Sequence, residues 1–151
     1  MVKKEWILLR ENPVVLGQEF WNFWNERWQP YYLELKQLVN KNIGGEISAF
    51  ESNVLYKLLK KLTFFIDTLR ANKEKFALNT TVRSLIAHHI GNGIYLIFCI
   101  ANVTEDTVEP ILTENVHKIS IAVNDMEQFW NDLREIEELK KRLIERGEQC
   151  Y

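Results

Sequence analysis

The densest group of chemically active side chains in this sequence is a run of seven residues that contains one arginine and two histidines. It begins with Arg83 and Ser84, ends with His88 and His89, and is followed by glycines at positions 91 and 93. Histidine exchanges protons near neutral pH, and a guanidinium carries a permanent charge with paired N–H donors that suit phosphate oxygens. These groups suit metal-free RNA cleavage, in which a base deprotonates the 2′-hydroxyl, an acid protonates the leaving 5′-oxygen, and a cation stabilises the phosphate.

On a straight α-helix the two histidines point in different directions. At about 100° per residue, His89 falls on the aliphatic side with Val82 and Leu85, whereas His88 falls on the polar side with Arg83. Arg83 and His88 are nevertheless separated by about 140° around the axis and about 7.5 Å along it. They meet only if the arginine reaches across, the helix bends, or a second subunit contributes its own copy. His89 is expected to pack in the core or at an interface with one hydrogen bond.

The spacing of Arg83 and His88 resembles the R-x(4–6)-H motif of HEPN domains, and His89 fits its looser spacing. These domains are helical bundles of similar size, and many are metal-independent ribonucleases of toxin–antitoxin, abortive-infection and CRISPR systems. In that family two motifs meet across a homodimer, so the resemblance implies a composite site with Arg83 and His88 as the catalytic pair. Ser84 stands where the family usually has Asn, Asp or another polar residue, and Ile90 stands where one toxin branch has tyrosine.

Two neighbouring residues have open roles in this prediction. Ser84 either positions the phosphate or caps the helix locally, and His89 either assists proton transfer or packs. The competing interpretation is that Arg83 is an ordinary surface residue and His88 a solvated one. No histidine, cysteine or carboxylate set has metal-ligand spacing, and no phosphate-loop or serine-nucleophile motif is present, so neither a metal nor a cofactor is expected.

Composition and charge indicate an ordinary globular chain with a single domain over residues 1–151. Hydrophobic residues make up 46% and charged residues 26% of the 151 residues, a length that buries a sizeable core without disulfides or metals. The formal net charge of −2 gives no general attraction to nucleic acid, so RNA contact requires a local basic patch. The candidates for that patch, which a solvated helix face explains more simply, are Lys57, Lys60, Lys61 and Arg70.

Cysteine use and apolar segment length predict a cytoplasmic protein. Cys99 and Cys150 form no paired framework or metal motif, which favours a reducing compartment. The apolar segment near the N-terminus is too short for a signal peptide and ends at Arg10. The longest apolar run, residues 93–101, is about half the length needed to cross a bilayer. We therefore expect no membrane span.

An aromatic helix is predicted over residues 13–28, opened by an Asn-Pro pair. Three of its aromatics recur at i, i+4 and i+8 and form a stripe typical of a core, while others fall off that stripe. Aromatics on more than one face indicate a helix covered on two sides, as in a bundle interior or a subunit interface. Base stacking is a weaker alternative because Arg27 is the one nearby cation. The residues assigned to an interface are Trp21, Phe23 and Trp24.

The middle of the chain predicts two more helices. Pro30 restarts the chain into a helix over residues 31–41, and a loop over residues 42–45 follows. A long amphipathic helix over residues 46–72 then carries apolar side chains at steps of three and four, with additional ones that widen the stripe. Its apolar positions are Ile47, Phe50, Val54, Leu55, Leu58, Leu59, Leu62, Phe65, Ile66 and Leu69.

The C-terminal half also favours helices. Residues 78–90 form the histidine-bearing helix, which the following glycines end or bend. Residues 94–103 suit either a strand or a buried helix, and residues 104–107 resemble a cap before a short helical piece. Residues 118–123 alternate like a strand but also begin the seven-residue rhythm of a long terminal helix. Isolated strands would need a sheet that nothing else supplies, so the expected fold is all-α, a bundle of four to five main helices.

Two functions follow from these observations. The first is an HEPN-like, metal-independent endoribonuclease that acts as a homodimer, as a toxin or defence component with an antitoxin as its protein partner. The second is a catalytically inert helical interaction protein, either antitoxin-like, immunity-like or a complex-assembly subunit, that binds through its aromatic N-terminal helix. Substitution of Arg83 and His88 separates the two, because only the nuclease requires those side chains.

Overall fold

The structure, a computed structural model, describes residues 16–76, 78, 80–106 and 109–145. Over this part of the chain it is all-helical, and the one β-type pairing is an isolated antiparallel bridge between Ile47 and Ile111. The predicted all-α bundle is therefore confirmed. In chain order the elements are α1 (Gln18–Arg27), α2 (Gln29–Lys41), α3 (Ala49–Ala71), α4 (Thr80–Ile86), a π-helical turn (Ala87–Gly91), α5 (Asn92–Ala101) and α6 (Thr113–Glu145).

Pro30 divides the first two helices as predicted. α1 ends at Arg27, and Pro30 occupies the first turn of α2, where its missing N–H costs no helical hydrogen bond. The start of α1 differs from the prediction: Gly17 is extended and precedes the first helical residue, Gln18. The Asn-Pro pair that was expected to open the helix, residues 12–13, lies outside the described residues.

The first residue of α3 is set by its cap. The Ser48 hydroxyl accepts the backbone N–H of Glu51 at 3.1 Å, so the helix begins at Ala49, three residues later than predicted. Phe50 was assigned to the buried stripe, yet 78% of it is exposed. The stripe is centred on Leu62, and at 100° per residue Phe50 lies about 120° away from that centre. Its assignment to the core was wrong.

α4, the π-helical turn and α5 form one continuous helix, Thr80–Ala101. The backbone N–H of Asn92 donates to the carbonyl of Ala87, five residues back, and the winding returns to α-helical afterwards. The glycines at 91 and 93 therefore do not end the helix. Residues 94–103, for which strand and helix were both open, are helical as far as Ala101, and Asn102 closes the helix in a left-handed conformation with φ of 51°.

This continuous helix is long and apolar. It has 22 residues, and its most apolar window of 18 residues has a mean hydropathy of 1.5, with 28% of that window buried inside the structure. At 1.5 Å per residue it is about 33 Å long, which matches the hydrocarbon core of a bilayer. The expectation of no membrane span rested on residues 93–101 alone, whereas the π-helical turn joins that run to the preceding helix. Core helices of soluble proteins reach the same length and hydropathy, so these properties alone assign no location.

The segment before α6 is not the short helix that the sequence suggested. Residues 103–106 and 109–112 are not helical, and Ile111 is held extended by two backbone hydrogen bonds to Ile47, of 2.8 and 3.0 Å. α6 begins at Thr113 and includes residues 118–123, so the strand alternative there was wrong. Among the apolar positions of the seven-residue rhythm, Ile119, Met126 and Leu133 are buried in α6, and Ile136 is half-buried.

An aromatic cluster around Trp130 of α6 holds α1, α3 and α6 together. Trp130 itself is 3% exposed, and edge-to-face and tilted contacts dominate the cluster. The rings whose centroids lie 5.1 to 6.4 Å from that of Trp130 belong to Phe20, Trp21, Trp24, Trp28, Phe65 and Phe129.

The aromatics assigned to a subunit interface lie in this core. Trp21 and Trp24 are each 6% exposed, and Phe23 is half-buried with its ring stacked against those of Phe65 and Phe76 at 5.3 and 5.0 Å. The sequence correctly indicated a helix covered on two sides, but α3 and α6 of the same chain provide the cover. The interface assignment of these three residues is therefore corrected to core packing.

Candidate functional site

The π-helical turn carries both histidines and gives them different environments. His88 is exposed, and its ring lies edge-to-face against that of His89 with centroids 4.8 Å apart. His89 is half-buried and stacks on Phe129 of α6, with centroids 4.9 Å apart and planes 22° from parallel. This is the difference that helical phase predicted, and it leaves His88 as the imidazole that solutes can reach.

The Arg83 side chain points towards α3. Its Nη2 donates to the hydroxyl of Thr80 at 3.3 Å, and its buried Nε has no hydrogen-bond partner within the part of the chain that the structure describes. It lines a pocket of about 30 Å³ together with Arg70 of α3, between the apolar side chains of Leu78 and Ile86. An unsatisfied buried donor costs roughly 1–3 kcal/mol, so an added acceptor would stabilise this pocket.

Both arginines line this pocket, but their ends diverge: Nη2 of Arg83 lies at Thr80, whereas Nη2 of Arg70 lies beside position 91 of the same helix. Within residues 16–76, 78, 80–106 and 109–138, no carboxylate lies within ion-pair distance of Arg70 or Arg83. The ion pairs in that part of the chain use lysines instead and lie elsewhere: Lys36 with Glu127, Lys41 with Glu51, and Lys75 with Glu19. Within these residues neither guanidinium has an anionic partner, and a phosphate oxygen would supply one.

A larger groove of about 250 Å³ lies next to this pocket, between α3 and the helix of the π-helical turn and α5. Arg70 lines both. Thr63 and Asp67 form the α3 wall, and Tyr95 and Phe98 form the α5 wall. Tyr95 is 70% exposed, and its hydrogen bond with Cys99 raises its pKa. The groove thus combines a cation, acceptor groups and aromatic rings.

Gly91 lies on the floor where the groove meets Arg70. A Cβ atom at this position would lie 3.8 Å from Nη2 of Arg70, an ordinary contact distance. Gly91 thus leaves space open beside the Arg70 guanidinium. An alanine at this position would contact the guanidinium without a clash.

Arg83 and His88 do not meet within one chain. No hydrogen bond joins them in the described structure, since Arg83 lies against α3 while His88 is exposed beside His89. The π-helical turn begins at Ala87, so it alters the helical rotation only between Ala87 and His88 and does not bring His88 round to Arg83. Ser84 lies inside α4 and is exposed, so it does not cap the helix. A site that uses both Arg83 and His88 requires a second chain or a rearrangement.

Sequence reasoning named Arg70 only as part of a basic patch and missed the other groove residues. A signal for them was present, since Thr63, Asp67 and Arg70 recur at helical spacing on one face of α3. The partner face on α5 was hidden by the choice between strand and helix for residues 94–103. Among the described residues, no group of three or more His, Cys, Asp or Glu side chains is arranged to hold a metal ion.

Comparison with protein-family models, with curated proteins and with solved structures gives no match to this chain.

Proposed function

We propose that this protein is a metal-independent endoribonuclease that acts as a homodimer, with Arg83 and His88 as its catalytic residues. The observation that carries the proposal is the pocket shared by Arg70 and Arg83, which lies one helical turn from the exposed His88 and has two unneutralised cations. We place the enzyme in the cytoplasm as a toxin or defence component, controlled by an antitoxin protein.

The proposed reaction uses the RNA's own 2′-hydroxyl as the nucleophile. A neutral histidine removes the 2′-hydroxyl proton, the oxygen attacks phosphorus, and the bond from phosphorus to the 5′-oxygen breaks. The leaving 5′-oxygen takes a proton from a protonated histidine, which gives a 2′,3′-cyclic phosphate and a 5′-hydroxyl. The guanidinium of Arg83 stabilises the charge on the nonbridging oxygens. A dimer supplies two copies of His88, one for each proton transfer, and removes the need for contact within one chain.

Cleavage of a fluorescent single-stranded RNA in the presence of EDTA tests this proposal. We expect cyclic phosphate ends with the wild type and a loss of roughly 100- to 10,000-fold in rate with His88→Ala, the usual contribution of a general acid or base. Arg83→Ala should cause a comparable loss. Persistence of the wild-type rate in both variants would refute the catalytic assignment.

Matched controls exist in the same chain. His117 is exposed on α6, and Arg27 is exposed at the end of α1, so His117→Ala and Arg27→Ala remove the same side chains elsewhere. Both controls should cleave at the wild-type rate. Sedimentation measurements on all variants separate loss of the dimer from loss of chemistry.

A second candidate function is that of an inert interaction protein. The aromatic N-terminal helix no longer supports it, because that helix is buried, but exposed apolar side chains elsewhere do. Large hydrophobic side chains on a protein surface often mark a protein-binding surface. Those at least 49% exposed on α3, α5 and α6 are Phe50, Phe64, Tyr95, Leu96 and Ile121. This function predicts full biological activity in the Arg83→Ala and His88→Ala variants.

A further inference from the structure

The groove between α3 and α5 has the composition of a nucleotide site, and we propose that it binds one nucleotide of single-stranded RNA. Its phosphate end is Arg70, shared with the pocket of Arg83, and its other end carries Tyr95 and Phe98. The inference rests on the proposed function for the class of its ligand. It goes further by assigning substrate binding to residues outside the Arg83 and His88 motif.

The phosphate end of the groove is marked by a cation without an anionic partner. Arg70 has no carboxylate within ion-pair distance in the described structure. Its Nη2 lies beside Gly91, which lines the groove, so a phosphate in the groove can accept hydrogen bonds from this guanidinium. Arg83 is a second cation on the same side of the helix, and its Nε also lacks an acceptor in the described structure.

The base end of the groove has exposed aromatic surface. Tyr95 is 70% exposed, while Phe98 is half-buried and fixed by an edge-to-face contact with Tyr56, with centroids 6.0 Å apart. The groove volume of about 250 Å³ falls just below the roughly 300–1,000 Å³ of pockets that hold drug-sized ligands, which suits a single nucleotide. Stacking on a rim aromatic tolerates every base, so it provides affinity with little selectivity.

The polar groups of the α3 wall provide selectivity among bases. The hydroxyl of Thr63 already donates to the carbonyl of Leu59 at 2.9 Å, so it has only acceptor capacity left. The Asp67 carboxylate is likewise an acceptor. Two acceptors facing a groove require N–H donors from the ligand, which favours bases with an amino group over uracil.

A further cation on α3 favours a strand over a free nucleotide. Lys60 lies three residues before Thr63, about 60° around the helix from it, and is exposed. It is placed to meet the phosphate of a neighbouring nucleotide.

Fluorescence anisotropy with labelled 2′-O-methyl hexanucleotides, which lack the attacking hydroxyl, tests binding apart from cleavage. We expect Tyr95→Leu to weaken binding roughly 5- to 150-fold, the usual effect of removing one stacked base. Arg70→Gln should weaken binding and reduce the slope of log affinity against log salt by about 0.7. Oligo-A and oligo-C should bind more tightly than oligo-U, and Asp67→Asn should reduce that preference.

Two control variants match these changes in type and exposure. Phe64→Leu removes a ring that is 65% exposed on α3, and Arg27→Gln removes an exposed cation on α1. Both should bind RNA like the wild type. Equal binding by wild type, Tyr95→Leu and Arg70→Gln would overturn the groove assignment, as would the absence of RNA binding.

The outcomes also separate this inference from the proposed function. RNA binding that depends on Arg70 and Tyr95, without any cleavage, would support the groove as the RNA site and refute the proposed nuclease activity. Cleavage that is unchanged in both variants would support the nuclease activity and refute the groove as the RNA site. Because the helix Thr80–Ala101 is long and apolar, anionic phospholipid vesicles form a third arm. Binding to vesicles that depends on Arg70, with none to RNA, would overturn the choice of ligand.

Discussion

Replacing Gly93 with alanine tests how closely α5 and α6 pack beside the histidine-bearing turn. A Cβ at position 93 would lie 3.0 Å from both Cγ and Sδ of Met126, whose side chain is fully buried. Alanine gains roughly 0.5–1 kcal/mol of helix propensity over glycine. Overpacking a filled core costs roughly 1–3 kcal/mol, which outweighs that gain over most of its range. We expect Gly93→Ala to lower the free energy of unfolding by up to about 2.5 kcal/mol.

Gly91 provides a matched control two residues away in the same helix. A Cβ there meets only Nη2 of Arg70, at 3.8 Å, so Gly91→Ala keeps the gain in propensity without a clash. Urea unfolding should therefore place Gly93→Ala about 1–3 kcal/mol below Gly91→Ala. At roughly 2–4 °C per kcal/mol for a chain of this length, that corresponds to a difference of about 2–12 °C in Tm.

A second background shows whether Met126 is the cause. Met126→Ala removes both atoms that the new Cβ would approach, so Gly93→Ala should be stabilising in that background. If Gly93→Ala costs the same with and without the Met126 side chain, the close approach of α5 to α6 is not what limits position 93.

Three further substitutions test the core and the surface. Burial is the main cause that raises the pKa of Tyr32, and the nearby charge of Glu127 adds to it. The neutral Tyr32 hydroxyl therefore makes its full contribution to stability below about pH 10, and that contribution is lost as the pH rises above this value. Tyr32→Phe should lose roughly 0.5–1.5 kcal/mol at pH 7 and a smaller amount at pH 11, measured by urea unfolding. Trp21→Phe removes the 2.9 Å hydrogen bond from the indole N–H to the buried carboxylate of Glu137, which should cost roughly 1–3 kcal/mol in the same assay. A further loss is expected because the phenyl ring is smaller than the buried indole and leaves core space unfilled; no loss at all would refute the role of this hydrogen bond. Phe50→Ser should change stability by less than about 0.5 kcal/mol, because the ring is 78% exposed; a larger loss would indicate a covered ring.

The helices could be predicted wherever local chemistry decides them. Pro30 restarts a helix because its ring is tolerated only in a first turn, and the apolar repeat of residues 46–72 predicts α3 because its side chains need one buried face. Helix ends were less predictable. Ser48 caps α3, which sets its first residue. Ile111 pairs with Ile47 in a β-bridge, and a tertiary pairing of this kind cannot be predicted from the local sequence around either residue.

The candidate site was only partly predictable for a similar reason. The motif of Arg83 and His88 is local and visible in the sequence, as is the different phase of His89. The aromatic interface was misassigned because Trp21 and Phe23, which fall off the predicted stripe, look the same in the sequence whether a second chain or helices of the same chain cover them. Sequence alone gives the number of covered faces but does not identify what covers them.

The π-helical turn explains why Arg83 and the groove belong together. On a regular α-helix each step of four residues drifts by about 40°, so Tyr95 would lie about 120° around the axis from Arg83. The wider π-helical turn has more residues per revolution, so four residues across it rotate the chain closer to one full revolution. Arg83 and Ala87 before that step, and Gly91 and Tyr95 after it, consequently all line pockets against α3. The irregular turn that carries the histidines thus also aligns the arginine pocket with the groove.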